Sequence, residues 1–457
     1  MRIHHPSKKG ERGVTILIVA MSLLVLVTMA ALAIDIASLY QARGEAQRAA
    51  DAAALAGAKM FVTSSYTSTT SLAFASVCQT GGAGSTVAVN KQAEAAAKVN
   101  PIAGQPAVIN KIQCDNTNVL NPRVTVTVES ASSPTFFSKI WAIWGSTSIG
   151  TVKATASAEA YNASGQNLPI LVTNVKPWLI PNCNPNVVVG GGAGNLNCSA
   201  PGGNHYDYLI NPDGTIRNPG SFIGNVLQLS RQPTGALGVN SGALLFYGLR
   251  YPTSPPLSCP STGAVSCDNP VNKGEPYIDA IACINSLQMS CGQKIGPTET
   301  PQMSVEVTSP LTGQPTVEGT KCLIHADGSS FNQGQDEISS GVPAVINGGF
   351  HNPNPSLQVP NISRSDSVIT APIYDGHQMC FDGGGTIGAC NNASPTSATV
   401  IGFLQLGIQQ TNGSQLLSGV SINAVGCSPS AIAAYPPTNS ISAGGASPIP
   451  VRLVQTP

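Results

Sequence analysis

The sequence predicts a single-pass, membrane-anchored α+β protein. It would have a long N-terminal helix, a small α+β domain, and then a β-rich, sandwich-like region rich in glycine and proline. Three observations predict this class. An uncharged apolar segment, residues 14–34, lies near the N-terminus. Charged residues make up only 10% of the 457 residues, whereas ordinary soluble domains contain about 25%. Glycine (47) and proline (35) are frequent, which favours short strands joined by turns over a helical bundle.

The apolar segment 14–34 predicts a transmembrane helix. At a rise of about 1.5 Å per residue it is about 31 Å long, enough to cross the hydrocarbon core of a bilayer once. The preceding tail, residues 1–13, carries four basic side chains and one acidic side chain. The positive-inside rule therefore places this tail in the cytoplasm and residues 35–457 outside the cytoplasmic (inner) membrane. The alternative is a cleaved secretory signal, because residues 31–33 have the Ala-x-Ala pattern of a cleavage site.

The helical pattern continues beyond the membrane, because residues 35–60 contain no proline and are rich in alanine, the best helix former. Small side chains recur along one face of this segment at spacings of three and four residues. Such a face lets a second helix approach closely, as small residues do between membrane helices. The alternative is an alanine-rich stalk without a partner. The predicted helix-packing face consists of Ala46, Ala50, Ala53, Ala54, Gly57 and Ala58.

Residues 13–58 combine a glycine before the apolar segment, an aspartate at its end and an alanine-rich block. In chain order the features are Gly13, Asp35, Leu39-Tyr40, Arg43, Gln47 and the block 49–58. This combination resembles the N-terminal region of the Flp pilus-assembly TadE/G-like family. Residues 134–137 and 152–156 also resemble a segment of TadG-like chains. The resemblance implies a bitopic inner-membrane protein connected with tight-adherence pili. Its implied partners are membrane lipid, TadE-like pilus-assembly proteins or a second copy of the chain.

The pattern of apolar and polar residues predicts a small α+β domain in residues 35–162 and a β-rich region in residues 163–457. In Arg123–Glu129, valine alternates with threonine, which predicts a strand with one buried face and one wet face. The other elements expected in the first region are a helix at 90–99 and strands at 107–112 and 151–161. Those expected in the second region are strands at 169–175, 243–250, 304–307, 368–374, 398–409 and 420–425, and a helix at 277–287.

The 12 cysteines form an even set without a Cys-x-x-Cys pair, which argues against a zinc ribbon or a thioredoxin-like motif. Several close short loops in a chain rich in glycine and proline, which predicts disulfides formed in an oxidising compartment. The candidate disulfide cysteines, expected to pair in successive couples, are Cys259, Cys267, Cys283, Cys291, Cys380 and Cys390.

Composition and motifs exclude several functions. A neutral chain, with 22 basic and 22 acidic residues and no basic run, predicts no nucleic-acid binding. Motifs of serine hydrolases, zinc proteases and P-loop NTPases do not occur, so we expect no catalytic residue, cofactor or metal. Residues 383–388 fit Gly-x-Gly-x-x-Gly, but they lie between Cys380 and Cys390 without room for the helix that would bind a pyrophosphate.

We therefore expect a non-enzymatic, membrane-anchored component of Flp pilus assembly or cell-surface attachment. It would act through helix packing and through its exported β-rich region. Prepilin-like family members have a glutamate five positions after the cleavage-site glycine, where this chain has Ile18, so packing into a filament as a pilin is not expected. The alternative function is an exported carbohydrate-binding protein or hydrolase with an unrecognised site in residues 163–457.

Overall fold

A computed structural model describes the greater part of the chain. The described residues are 11–69, 73–131, 151–190, 205–231, 239–240, 242–249, 276–284, 288–296, 314–326, 333–350, 352, 355–375, 380–381, 387–388, 398–411, 416–436, 441–443 and 447–455. The strand predicted at 304–307 lies outside them.

One long helix dominates the N-terminal region, and it joins the apolar and alanine-rich segments without a break, as predicted. A short helix follows close to the predicted range 90–99. The helix at Gln314–Leu323 was not predicted, because its threonines, valine and glycine all have low helix propensity. The α-helices of the described residues are α1 (Glu11–Thr63), α2 (Ala88–Lys98), α3 (Pro276–Ala282), α4 (Gln314–Leu323) and α5 (Pro429–Ala433).

The rest of the described chain is dominated by strands. They are β1 (Val108–Asp115), β2 (Arg123–Glu129), β3 (Lys153–Ala160), β4 (Ile170–Thr173), β5 (Trp178–Pro181), β6 (Asn184–Val189), β7 (His205–Asp207), β8 (Val226–Arg231), β9 (Val239–Asn240), β10 (Ala243–Gly248), β11 (Gln288–Ser290), β12 (Lys294–Ile295), β13 (Glu337–Ile338), β14 (Ile346–Asn347), β15 (Val368–Tyr374), β16 (Cys380–Phe381), β17 (Ile387–Gly388), β18 (Ala398–Thr411), β19 (Leu416–Gly426), β20 (Ile441–Ala443) and β21 (Val451–Val454). The fold is thus the predicted α+β class, with a long apolar helix followed by a sheet-dominated remainder.

The first sheet has the strand order β1-β2-β3-β21, and every pairing in it is antiparallel. β2 has its predicted bounds, and its valines at 124, 126 and 128 are fully buried while its threonines are only half-buried. α1 packs on β2 and β3, and α2 packs on α1 and β1. The edge strand β21 comes from the C-terminal end of the described chain, so the chain returns to its first sheet. The division into residues 35–162 and 163–457 stays a prediction.

The largest sheet closes on itself. Its strands follow the order β18-β15-β5-β10-β8-β19, and β19 pairs in turn with β18, while β12 and β9 extend the sheet from β18 and β10. In place of two separate packed sheets, six strands therefore form a closed barrel, which leaves no free edge in the circuit. Parallel pairs (β5–β15 and β8–β10) alternate with antiparallel ones around part of this circuit.

Large apolar side chains fill the barrel. Alternate residues of β5, β8, β10, β15 and the middle of β18 belong to one buried cluster, as expected for positions that point to the same face, and β19 adds Leu417 and Ala424. Members of this cluster are Trp178, Ile180, Leu229, Leu244, Phe246, Ile369, Ile373, Leu404, Leu406, Ile408 and Leu417.

In two disulfides, both cysteines lie among the described residues. Cys78–Cys114 links the segment before α2 to β1, and Cys291–Cys427 links two segments 136 residues apart. The predicted pairing of Cys283 with Cys291 is therefore wrong. β18 holds Cys291 and Cys427 close together, because Gly292 N donates to Val400 O and Cys427 N donates to Ile401 O.

Other cysteines are also oxidised. Cys183, Cys283 and Cys322 are disulfide-bonded, and no cysteine among the described residues is free. Cys259, Cys267 and Cys390 lie outside the described residues, so the pairings Cys259–Cys267 and Cys380–Cys390 stay predictions.

Candidate functional site: the anchor helix and its junction with the barrel

The first half of α1 is apolar and has no protein cover. Large side chains from Val14 to Ile34 are 51–70% exposed in the isolated chain. Within the described residues, α1 is the one helix long and apolar enough to cross a membrane. This exposure suits a lipid environment, in which apolar side chains need no protein partner.

Protein cover on α1 begins at the end of this apolar segment. Asp35 is only 5% exposed, and a buried stripe continues with Ala42, Ala46 and Ala49 at helical spacing. Glu45, next to this stripe, accepts a hydrogen bond from Ala103 N at 2.7 Å. That backbone hydrogen bond, with one from Gln41, lowers the pKa of the Glu45 carboxyl. The folded domain therefore starts where the apolar segment stops.

The predicted helix-packing face lies entirely inside the chain. All six of its residues (Ala46, Ala50, Ala53, Ala54, Gly57 and Ala58) are buried, and α1 packs against α2, β2 and β3. A Cβ placed on Gly57 would lie 3.4 Å from Val124 Cγ1, 3.4 Å from Val89 Cγ1 and 3.5 Å from Ala93 Cβ. These small side chains thus bring the helix close to the chain's own α/β layer.

Asn423 joins the end of α1 to the outside of the barrel. It lies on β19 and is completely buried. Its Nδ2 donates to Val62 O at 2.6 Å and to Gln405 Oε1 at 2.8 Å. Its Oδ1 accepts from Ser68 Oγ at 3.0 Å and from Thr67 Oγ1 at 3.2 Å. One amide therefore ties the helix end and the turn after it to two barrel strands.

Asn162 strengthens the same junction. Its Nδ2 donates to Thr67 O at 2.8 Å, and its Oδ1 accepts from Ser164 Oγ at 2.7 Å. Asn162 heads an Asn-x-Ser sequon, but the side chain is 1% exposed and both ends of its amide are bonded. The folded chain therefore offers no room for a glycan there.

A buried carboxylate fastens the C-terminal strand to the first sheet. Glu159 on β3 is 5% exposed and accepts from Arg452 Nε at 2.8 Å and Arg123 Nη2 at 3.2 Å. The Arg452 guanidinium also lies 4.7 Å from the centroid of the Tyr161 ring. Two cations around one carboxylate offset the cost of burying its charge.

A second polar cluster lies where β5 and β15 begin. Lys176 is completely buried, and its Nζ donates to Cys283 O at 2.8 Å. Loss of hydration lowers the pKa of Lys176 from its ordinary 10.5 to about 7, although the Asp366 carboxylate acts in the opposite direction. His325 Nε2 lies 3.6 Å from Asp366 Oδ2, and the imidazole is buried. His325 holds the pKa of Asp366 below its usual range.

Other motifs do not form sites. Ile387–Gly388 is a strand paired with Cys380–Phe381, where a nucleotide-binding glycine motif would need the first turn of a helix. Asp207 is engaged by Arg217 and Asn218. Among the described residues, no group of three or more His, Cys, Asp or Glu side chains could hold a metal ion.

The sequence predicted the long apolar helix and indicated the small residues of α1, but it did not indicate the junction asparagines or the Lys176 cluster. The available signal was a polar residue inside an apolar strand, such as Asn423 in β19, or a single lysine between two apolar runs.

Comparison with known proteins finds a similarity between the helix α1 and one family. Residues 13–60 match the family model described as Putative Flp pilus-assembly TadE/G-like. No curated protein and no solved structure matches the chain. The matched segment contains both halves of α1, the exposed apolar half and the buried alanine-rich half. Through residues 13–60, 48 of its 457 residues, the chain is similar to the TadE/G-like family associated with Flp pilus assembly.

Proposed function

We propose that the protein is a non-enzymatic component of Flp pilus assembly, anchored in the cytoplasmic membrane by α1 and carrying its barrel outside. The observation that carries this proposal is the TadE/G-like helix itself. Its apolar half is open to lipid, and its second half is packed into the chain's own sheet. A helix of this kind holds the barrel at a fixed position above the membrane.

Charge and oxidation support the orientation. Basic residues outnumber acidic ones in residues 1–13, which favours a cytoplasmic N-terminus. The disulfides Cys78–Cys114 and Cys291–Cys427 lie on the other side of the apolar segment. Disulfides persist in oxidising compartments such as the bacterial periplasm. Both arguments support a barrel that lies outside the cytoplasm.

A TadE-like protein or a second copy of the chain is proposed to bind the open, apolar half of α1. The small-residue face is used within the chain, so it is not available to a TadE-like protein or a second copy without unfolding the first sheet. The transmembrane half of α1 has no protein cover and can pack against another membrane helix.

Complementation of a strain lacking the gene tests this proposal. The wild-type chain should restore surface pili, and a form released from the membrane by a cleavable signal in place of residues 1–34 should not. Protease added to spheroplasts should digest residues 61–457 and leave a small membrane fragment. Full piliation by the released form, or protection of the barrel from protease, would contradict the proposal.

A second candidate function, an exported hydrolase, rests on the His325–Asp366 pair. A histidine close to a carboxylate is an arrangement used in general acid–base catalysis, and Asp366 is half exposed. The double variant His325→Gln/Asp366→Asn separates the two candidates. An assembly component keeps piliation in this variant at a normal protein level, whereas a hydrolase loses its activity.

A further inference from the structure

The membrane-proximal turns of α1 expose a stripe that the protein leaves uncovered. Ile36 is 45% exposed, Tyr40 is 72% exposed, and Arg43 is also exposed. Their spacing of four and three residues places the three side chains on one face of the helix. Asp35, directly before them, is 5% exposed, so protein encloses another side of α1 at the same level.

The side chains of this stripe can reach the lipid headgroups. At about 1.5 Å per residue, Tyr40 Cα lies about 9 Å and Arg43 Cα about 13.5 Å beyond Ile34. The headgroup layer adds about 5–7 Å to each side of the hydrocarbon core. Cα–Cβ bonds of a helix tilt towards its N-terminus, so both side chains lean towards the membrane. A long arginine side chain can also bend to bring its charge into the headgroup layer.

Arg43 has the free charge that such a surface needs. Among the described residues it has neither an ion pair nor a hydrogen bond, whereas the nearby acids are engaged by other groups. Glu45 accepts from Ala103 N and from Gln41, and Asp51 accepts from Gln47. The guanidinium is therefore available to a phosphate, which it binds with two parallel hydrogen bonds. Tyrosine at this depth is typical of the aromatic belts of membrane proteins.

We propose that Ile36, Tyr40 and Arg43 form a headgroup-binding stripe that docks α1 on the outer leaflet, with Arg43 on the phosphate of an anionic phospholipid. The stripe continues the transmembrane segment without a break in the helix, which favours lipid over a soluble partner. Together with the tail in the cytoplasm, the stripe would fix both the rotation of α1 and its depth in the membrane. The proposal rests on the proposed membrane anchor but not on the role in pilus assembly.

Photocrosslinking in nanodiscs identifies what covers the stripe. The full chain, with benzoylphenylalanine at position 40, is inserted into discs of phosphatidylglycerol and phosphatidylcholine in equal parts. The expected adduct has the mass of one lipid. An adduct with a second copy of the chain, or no lipid adduct, would overturn the proposal.

Lipid selectivity tests Arg43 against a matched control. Arg48 is an exposed arginine on the same helix but lies about 21 Å beyond Ile34, above the headgroups. We expect the enrichment of phosphatidylglycerol over phosphatidylcholine around the protein, counted by native mass spectrometry, to fall about fivefold in Arg43→Ala. It should be unchanged in Arg48→Ala. An unchanged ratio in Arg43→Ala, or an equal fall in both variants, would refute the stripe. Insertion into the disc and piliation are scored separately, so this failure is distinguishable from failure of the proposed function.

Discussion

The two regions of this molecule reach full burial with opposite sets of side chains. Where α1 crosses the first sheet, the core is built mainly from small residues, with alanines of α1 facing alanines and valines of β2, β3 and α2, while Phe61, Ile109 and Ile112 add large side chains. The core of the barrel is built from tryptophan, phenylalanine, leucine and isoleucine. Small side chains allow a helix to lie close to a sheet, whereas a closed barrel encloses a volume that only large side chains fill. The first region should therefore be sensitive to enlargement and the second to truncation.

Removal of a disulfide should lower the free energy of unfolding more than any other change proposed here. The two losses should also show which region depends more on its disulfide. In the loop-entropy model, the Cys291–Cys427 bond, with a separation of 136 residues, contributes about 5 kcal/mol, and Cys78–Cys114, with a separation of 36, about 4 kcal/mol. We expect Cys291→Ser/Cys427→Ser to lower the free energy of unfolding of the full chain by more than Cys78→Ser/Cys114→Ser. Denaturant titration of both double variants measures this order, and the reverse order would contradict it.

Truncation of a side chain inside the barrel should cause the next largest loss of stability. Phe246 is completely buried, and its ring centroid lies 5.4 Å from that of Trp178. Phe246→Ala should reduce the free energy of unfolding by about 3–5 kcal/mol, because the vacated volume cannot collapse in a closed barrel. Phe350→Ala, at a ring that is 82% exposed, is the control and should change it by less than about 0.5 kcal/mol. Similar losses in both variants would show that the barrel is not tightly packed.

Enlargement of a side chain on the helix-packing face of α1 should destabilise the first region. A Cβ at Gly57 already fills the space to Val124, so the further carbons in Gly57→Leu must displace β2 or α2. The expected loss is about 1–3 kcal/mol. Gly44 lies on the same helix, and a Cβ placed on it would have no atom within 4 Å. Gly44→Leu should therefore raise the free energy of unfolding slightly, because leucine favours helices more than glycine. If Gly57→Leu leaves stability unchanged but reduces crosslinking to a partner, the face serves association and not the chain's own fold.

Patterns within short stretches of the sequence predicted those elements that local interactions determine. The bounds of β2 and β15 and the continuity of α1 follow from alternation and from alanine content. Closure of the barrel depends on strands far apart in the chain, as in the parallel pairing of β5 with β15. The same long-range pairing brings Cys291 to Cys427, so spacing along the chain favoured the wrong partner. The six packing residues were predicted as a set, but only the fold shows which surface they meet.

The smallest predicted effect concerns the lysine at the end of the barrel. Burial lowers the pKa of Lys176 to about 7, whereas the unfolded chain keeps this proton up to about pH 10.5. Between these values the unfolded state binds more protons, so the free energy of unfolding should rise with pH. Below pH 7 both states are protonated and the full cost of burying the charge is present. Lys176→Met removes this dependence.

The stability difference between Lys176→Met and the wild type should therefore shift in favour of the wild type by about 1 kcal/mol from pH 7 to pH 8. Lys294→Met is the control, because Lys294 is exposed and water hydrates its charge in both states. Parallel pH profiles for the wild type and Lys176→Met would show that Lys176 stays charged in the fold. Asp366→Asn sharpens the result. The Asp366 carboxylate favours the charged lysine, so its removal should move the wild-type rise in stability to lower pH.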